Sequence, residues 1–179
     1  MDIKLEPIQE VDLNSLLEWI PTYEQMVQWS GPWNFKFPLD EDQLARYFMA
    51  DTTQDGLRRM QFKAVNTESG VMVGQIGFSR IRDNTSAADL GPVIVAPSSR
   101  SSGIGTQMVR QLLTIGFEQQ RLHRIELVVF SFNDAAISCY ERVGFQNEGV
   151  MRDIVRVGDE YWHWRVMSIL EGEWEANRA

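Results

Sequence analysis

Residues 95–109 read VAPSSRSSGIGTQMV. A short apolar run reaches Pro97, serines surround Arg100, and Gly103 and Gly105 open a helical pattern. Ile104, Met108, Leu112 and Ile115 then follow at steps of four, four and three, so residues 103–120 read as an amphipathic helix. Two glycines let the backbone turn closely. The free N–H groups of a first helical turn, reinforced by the helix dipole, favour an anion such as a phosphate. A Walker loop needs a lysine and a hydroxyl residue after its last glycine, but Thr106 and Gln107 stand there. A dinucleotide fingerprint needs a third glycine at Met108. Both common nucleotide-binding patterns fail.

Outward from this loop, residues 87–95 precede it as a strand and RIELVVF, residues 124–130, follows the helix as another. A strand, crossover helix and strand imply a parallel pair. NDAAISCYERVGF, from Asn133, is a further helix with Asn133 or Asp134 at its cap and Gly144 past its end. Upstream, residues 3–8 alternate like an edge strand, and helices are expected from Asp12 to Ile20, from Thr22 to Trp29 and from Asp40. Strands are expected at 59–65, 71–81 and 87–95, joined by the turns NTESG and RDNTS. Two long strands, about 146–157 and 161–170, close the chain around Gly158-Asp159. The expectation is a single domain over 1–179, of α/β (α+β) class. It has a mixed sheet of about seven strands with helices on both faces.

Composition narrows the function classes. The 179 residues carry 44% hydrophobic and 23% charged side chains, ordinary for a folded globular chain. Lys and Arg number 17 against 25 acidic residues, so the net charge of −8 argues against nucleic-acid or anionic-membrane binding and mildly favours a cationic partner. One cysteine, Cys139, and two distant histidines leave neither a disulfide nor a metal-ligand cluster, so no metal is expected. No apolar run approaches the ~18 residues of a membrane span and MDIKLEPIQE is no signal segment, so a cytoplasmic location is expected.

The pattern Val95, Pro97, Arg100, Gly103, Gly105 resembles the pyrophosphate loop of the GNAT superfamily of N-acetyltransferases. The run Asn133, Ala136, Tyr140, Gly144, Phe145 matches that family's second motif in order. The resemblance is firmest over 87–150. The continuation FQNEGVMRD with the WSGP loop is most similar to the branch of ribosomal-protein amino-terminal (Rim-like) acetyltransferases. It implies the GNAT fold, in which strands 87–95 and 124–130 splay apart to hold acetyl-CoA as co-substrate. The pantetheine then pairs with the backbone of Val93, Ile94 and Val95, with the thioester carbonyl near Ile94. Arg100, Ser101, Ser102, Gly103, Ile104, Gly105 and Thr106 take the pyrophosphate, Asn133 meets the pantetheine arm, and Ala136 and Tyr140 also bind the coenzyme. Ser101 and Ser102 stand where family members often carry Gly-Lys, which implies weaker but intact coenzyme A binding.

The resemblance also implies roles. Tyr140 matches the general acid that protonates the leaving sulfur. For the base, Asp89 stands eleven residues before Arg100, Glu126 lies on the opposite strand, and Glu148 comes third as a surface carboxylate. Aromatics crowd the WSGPWNFKFPLD loop, and Trp29, Trp33 and Phe35 are candidates for the acceptor wall; in YWHWR, 161–165, Trp162 and Trp164 share one strand face and read equally as core or as cleft wall. Cys139 reads as a packed side chain and His123 as a helix-end partner. The expected activity is transfer of an acetyl group to a primary amine, either a cationic small amine or a protein amino terminus, by a monomer or homodimer. The alternative is a non-catalytic acyl-CoA-binding or sensing domain of the same fold.

Overall fold

A computed structural model describes residues 1–178. One sheet of eight strands organises it: β1 (Ile3–Pro7), β2 (Arg58–Asn66), β3 (Met72–Arg82), β4 (Ala87–Leu90), β5 (Ile94–Val95), β6 (Arg124–Phe130), β7 (Gln146–Val157) and β8 (Glu160–Leu170). The spatial order is β1-β2-β3-β4-β6-β8-β7, with β5 paired on β3. The helices are α1 (Leu13–Trp19), α2 (Tyr23–Ser30), α3 (Glu41–Phe48), α4 (Ile104–Thr114), α5 (Asp134–Arg142) and α6 (Glu171–Arg178). Beyond α4 the backbone widens into a π turn over Ile115–Gln119. The closing helix α6 was not expected; Trp174 gives it one buried anchor, stacked on Phe117 at 6.0 Å.

Two apolar cores lie on the two faces of the sheet. Ile104, Met108, Leu112 and Leu113 of α4 pack with Ile76, Phe78 and Ile125, as the helical spacing predicts. The other core gathers Leu13 and Leu16 of α1, Met26 of α2, and Leu44 and Phe48 of α3 against Phe130, Val155 and Val157. Side-chain oxygens cap three of these helices: Thr22 on α2, Asp40 on α3 and Asn133 on α5. The start of α4 has no such cap. Gly103 stands there at φ +82°, a left-handed conformation that glycine adopts without strain.

The expected strand 87–95 is in fact two. β4 pairs in parallel with β6 only over Ala87–Asp89 against Arg124–Glu126. Gly91 gives its N–H to Gly77 and then Pro92, lacking an N–H, cannot extend a ladder. The chain steps aside, and β5 rejoins β3 with Val95 opposite Gly74 and Ile94 opposite Gln75. β6 meanwhile runs straight on along β8 to Phe130. A wedge opens between β5 and β6.

Candidate active site

The wedge is the mouth of a cleft of about 1180 Å³ that runs from the α4 N-terminus, past β4 and β6, to the aromatic loop after α2. At its α4 end, Gly103, Ile104, Gly105 and Thr106 line the wall with Arg100 and Ser101. The first intrahelical acceptor is the Gly103 carbonyl, which takes the Gln107 N–H at 3.2 Å, so the preceding N–H groups of the turn face the cleft without a capping side chain. An uncapped helix start with a positive dipole end fits a phosphate group. Arg100 Nε donates to the Val95 carbonyl at 3.3 Å, which folds the side chain back along the strand end. Ser102 departs from expectation: its hydroxyl donates to the Ser99 carbonyl and the residue does not line the cleft.

Strand alternation sorts the β5 backbone. Ala96 N–H donates to the Val73 carbonyl at 2.9 Å, so Ala96 and Ile94 direct their polar groups to β3, while those of Val93 and Val95 face the wedge. Val93 and Val95 line the cleft; Ile94 does not, and its side chain packs into the α1–α3 core. The expectation that an Ile94 N–H reaches a bound carbonyl therefore passes to its neighbours. Across the wedge, Asn133 caps α5 by accepting the Ala136 N–H at 3.3 Å, and its amide nitrogen donates to no group among the described residues, beside the cleft that Asn133 and Ala136 both line.

Tyr140 lies at the waist of the cleft, 7% exposed, with its ring set edge-on to Phe145 at 5.7 Å. Burial pushes its phenol well above the usual range, so the hydroxyl keeps its proton. Cys139, beside it, packs between α5 and α4, with Sγ 3.5 Å from the Thr106 hydroxyl. Burial pushes the thiol up as well, away from thiolate chemistry.

Asp89 and Glu126 face each other across the last parallel pair, and both line the cleft. Arg82 bridges them, its Nη1 2.6 Å from Asp89 and its Nη2 2.7 Å from Glu126. Arg124 donates to the other Glu126 oxygen at 2.9 Å and continues to Glu148. Burial raises the Asp89 carboxyl, more than the hydrogen bond from Arg82 lowers it. Burial opposes ionisation of Glu126 too, but the hydrogen bonds from Arg124 and the charges of Arg124 and Arg82 help outweigh it and hold Glu126 lower. Two carboxyls of different acidity thus share one guanidinium. Glu148 is removed from the cleft: hydrogen bonds from Arg124 and Ser168 fix it and hold it down at about 2.

The far end is aromatic. Trp33 is 61% exposed and meets Trp164 edge-on at 5.0 Å; both line the cleft. Trp29 lines it as well while stacking on Phe35 at 5.3 Å. Phe35 does not: 4% exposed and packed against Tyr47, it belongs to the α1–α3 core, which corrects its place on the acceptor wall. In YWHWR, Trp162 packs on Phe130 and Phe132, so only Trp164 of the pair reaches the cleft. Arg82, the bridge between the carboxyls, escaped the sequence reading. The RDNTS hairpin held the signal, because its register sets Arg82 opposite Ala87 and Arg80 opposite Asp89, all on one turn of pairing.

The family model of the GNAT acetyltransferase domain matches residues 2–146. In sequence, the chain is 35% identical over 89 residues to the N-alpha-acetyltransferase RimI of Mycobacterium tuberculosis, covering 49% of this chain and 54% of that protein. It is 28% identical over 109 residues to the putative ribosomal N-acetyltransferase YdaF of Bacillus subtilis, covering 61% of this chain and 59% of that one. The matched stretch spans little more than half the length of these relatives. In three dimensions the fold is similar to the spermidine N-acetyltransferase of Vibrio cholerae, solved with CoA and spermine. That match has a TM-score of 0.81 and 20% identity over 97% of this chain and 98% of that one.

Proposed function

The chain belongs to the GNAT acetyltransferase family, on its Rim-like side, and from that membership we propose that it transfers the acetyl group of acetyl-CoA to a primary amine. The observation that carries the reading is the conjunction, in one cleft, of the uncapped α4 start, the free edge of β5, and the side chains of Asp89 and Tyr140. The α4 N–H groups and Arg100 hold the pyrophosphate, and the outward-facing backbone of Val93 and Val95 pairs with the pantetheine arm and polarises the thioester carbonyl. Bound there, acetyl-CoA supplies the activated acyl group and the thiolate leaving group.

Asp89 accepts the proton released from the amine nitrogen as that nitrogen bonds to the carbonyl carbon, through an intervening water. Its raised carboxyl is the better base of the pair, since a stronger conjugate base takes a proton more readily. Arg82 keeps it oriented, and Glu126, the more acidic partner, is the reserve. As the carbon–sulfur bond breaks, Tyr140 gives its phenolic proton to sulfur; burial keeps that proton in place beforehand. Because Asp89 and Tyr140 both face the cleft, the catalytic reading is favoured over acyl-CoA sensing. The reaction is placed in the cytosol, where acetyl-CoA is available.

The test has two arms. Calorimetry with coenzyme A measures the cofactor half, and thiol release from acetyl-CoA over a panel of primary amines measures the transfer. Coenzyme A binding with no thiol release for any amine would leave the sensing domain as the better description.

A further inference from the structure

The acceptor end of the cleft carries two arginines that the transfer mechanism does not use. Arg59 and Arg80 line it, from β2 and β3. Each sits at an irregularity in the pairing: the β2–β3 register slips between Arg58 and Met60, and the β3–β4 register slips between Phe78 and Arg80. Bulges re-aim side chains, and here both turn cations toward the same space. Arg59 is held in position, its guanidinium 4.4 Å from the centre of the Tyr47 ring. Its Nε donates to the Ser79 carbonyl at 3.3 Å and its Nη1 to the Tyr47 carbonyl at 3.2 Å. These are neutral acceptors, so Arg59 forms no ion pair among the described residues, and its Nη2 donors make no hydrogen bond there. Arg80 is exposed and forms neither an ion pair nor a hydrogen bond among the described residues. The neighbouring carboxylate is Asp55, on an exposed loop, where hydrogen bonds from Thr53 and its own backbone hold its carboxyl low and the charges of Arg80 and Arg59 lower it further without contact.

The contrast with Arg82 and Arg124 is instructive. Those two are neutralised by Asp89, Glu126 and Glu148, at 2.6 to 2.9 Å. Arg80 stands directly opposite Asp89 in the β3–β4 register, so a guanidinium with no ion-pair contact among the described residues lies one strand from the carboxyl assigned to the amine. The chain as a whole is at −8, yet this end of its cleft presents two guanidinium groups that no carboxylate contacts among the described residues. A polyamine placing a second ammonium there would meet like charge. An amine with a carboxylate a few atoms from its nitrogen meets two guanidinium groups suited to bind it by charge-assisted hydrogen bonds.

We infer that the acceptor is a primary amine bearing a nearby carboxylate, which Arg59 and Arg80 bind while the amino group points to Asp89. This deepens the acetyltransferase reading and rests on it. The chemistry is shared by a free acidic amino acid and by a peptide with acidic residues at its amino terminus.

The test compares glutamate, its diamide, a Glu-Glu-led tripeptide, the matching Gln-Gln-led tripeptide and spermidine, in thiol-release kinetics and in calorimetry against the protein saturated with coenzyme A. The acidic member of a pair is expected to have the lower KM by roughly 10-fold or more, the size of a hydrogen bond to a charged group. Which pair discriminates identifies the source. Arg80→Gln should erase that ratio and Arg80→Glu invert it, with the KM for acetyl-CoA unchanged; Arg80 is exposed, so both variants fold. Amide or spermidine acceptors that match or exceed the acids, or a ratio insensitive to Arg80, overturn the inference. If the acids bind in an Arg80-dependent way but no amine releases thiol, the transfer reading fails and the anion site stands.

Discussion

Asp89 of β4 and Glu126 of β6 are partners in the final parallel pair before the sheet splays, and one guanidinium, that of Arg82, binds both at 2.6 and 2.7 Å. The pair sits at the crotch of the wedge, where two strands must diverge to admit a co-substrate. Both carboxyls are partly buried there, so the arginine that ties them together also limits the cost of burying charge.

Asp89→Asn keeps the hydrogen bond to Arg82 but removes the base. We expect kcat to fall by ~10²-fold or more, with coenzyme A affinity unchanged. Raising the pH should restore part of the loss, because more of the amine arrives already neutral. Glu126→Gln should cost less, since Glu126 is the more acidic of the two. The reverse order in kcat across the pH range would transfer the role to Glu126.

Tyr140→Phe separates chemistry from packing. The ring and its edge contact with Phe145 remain, and the phenol makes no hydrogen bond within the described residues, so the melting temperature should stay close to that of the parent. A lower kcat without rescue at high pH is the expected signature of a lost proton donor. Full activity in this variant would mean that the thiolate leaves unassisted.

At Gly105 two substitutions should part company. An added Cβ would lie 3.6 Å from Cys139 Sγ and 3.8 Å from Val95 Cγ2, ordinary contact, so Gly105→Ala should fold and bind coenzyme A, with stability equal or slightly raised by helix propensity. Gly105→Glu puts a negative charge in the turn proposed to take phosphate and should abolish binding by calorimetry. Retained binding would place the coenzyme elsewhere.

Trp33→Ala and Phe35→Ala test the division of the aromatic loop. Trp33 is exposed on the cleft and should raise the KM of the acceptor far more than that of acetyl-CoA, with little change in denaturation midpoint. Phe35 is core, and its truncation should cost ~3–5 kcal/mol of stability, measured by denaturant unfolding. Matching effects of the two variants on acceptor KM would return Phe35 to the cleft wall.

Much of this architecture is local and therefore legible in the sequence. Helical spacing at Ile104, Met108 and Leu112 records which face of α4 is buried, and Gly103 with Gly105 records a backbone turn that needs no cap of its own. The two motifs around Arg100 and Asn133 depend on a few neighbouring residues each, so they too survive in one dimension. What periodicity cannot carry is register and direction across the sheet. Ile94 and Val95 are adjacent and both apolar, yet opposite sides of one strand separate a core residue from a cleft wall, and the pairing of β5 with β3, earlier in the chain, decides which is which. Phe35 and Trp33 differ in the same way, by which of them the α2–α3 packing draws inward. The Arg82 bridge, the strength of each carboxyl and the placement of Arg59 and Arg80 on the cleft without an ion pair among the described residues exist only once distant strands are brought to within hydrogen-bond reach, because a charge acquires its partner, and its solvent exposure, from residues far away in sequence.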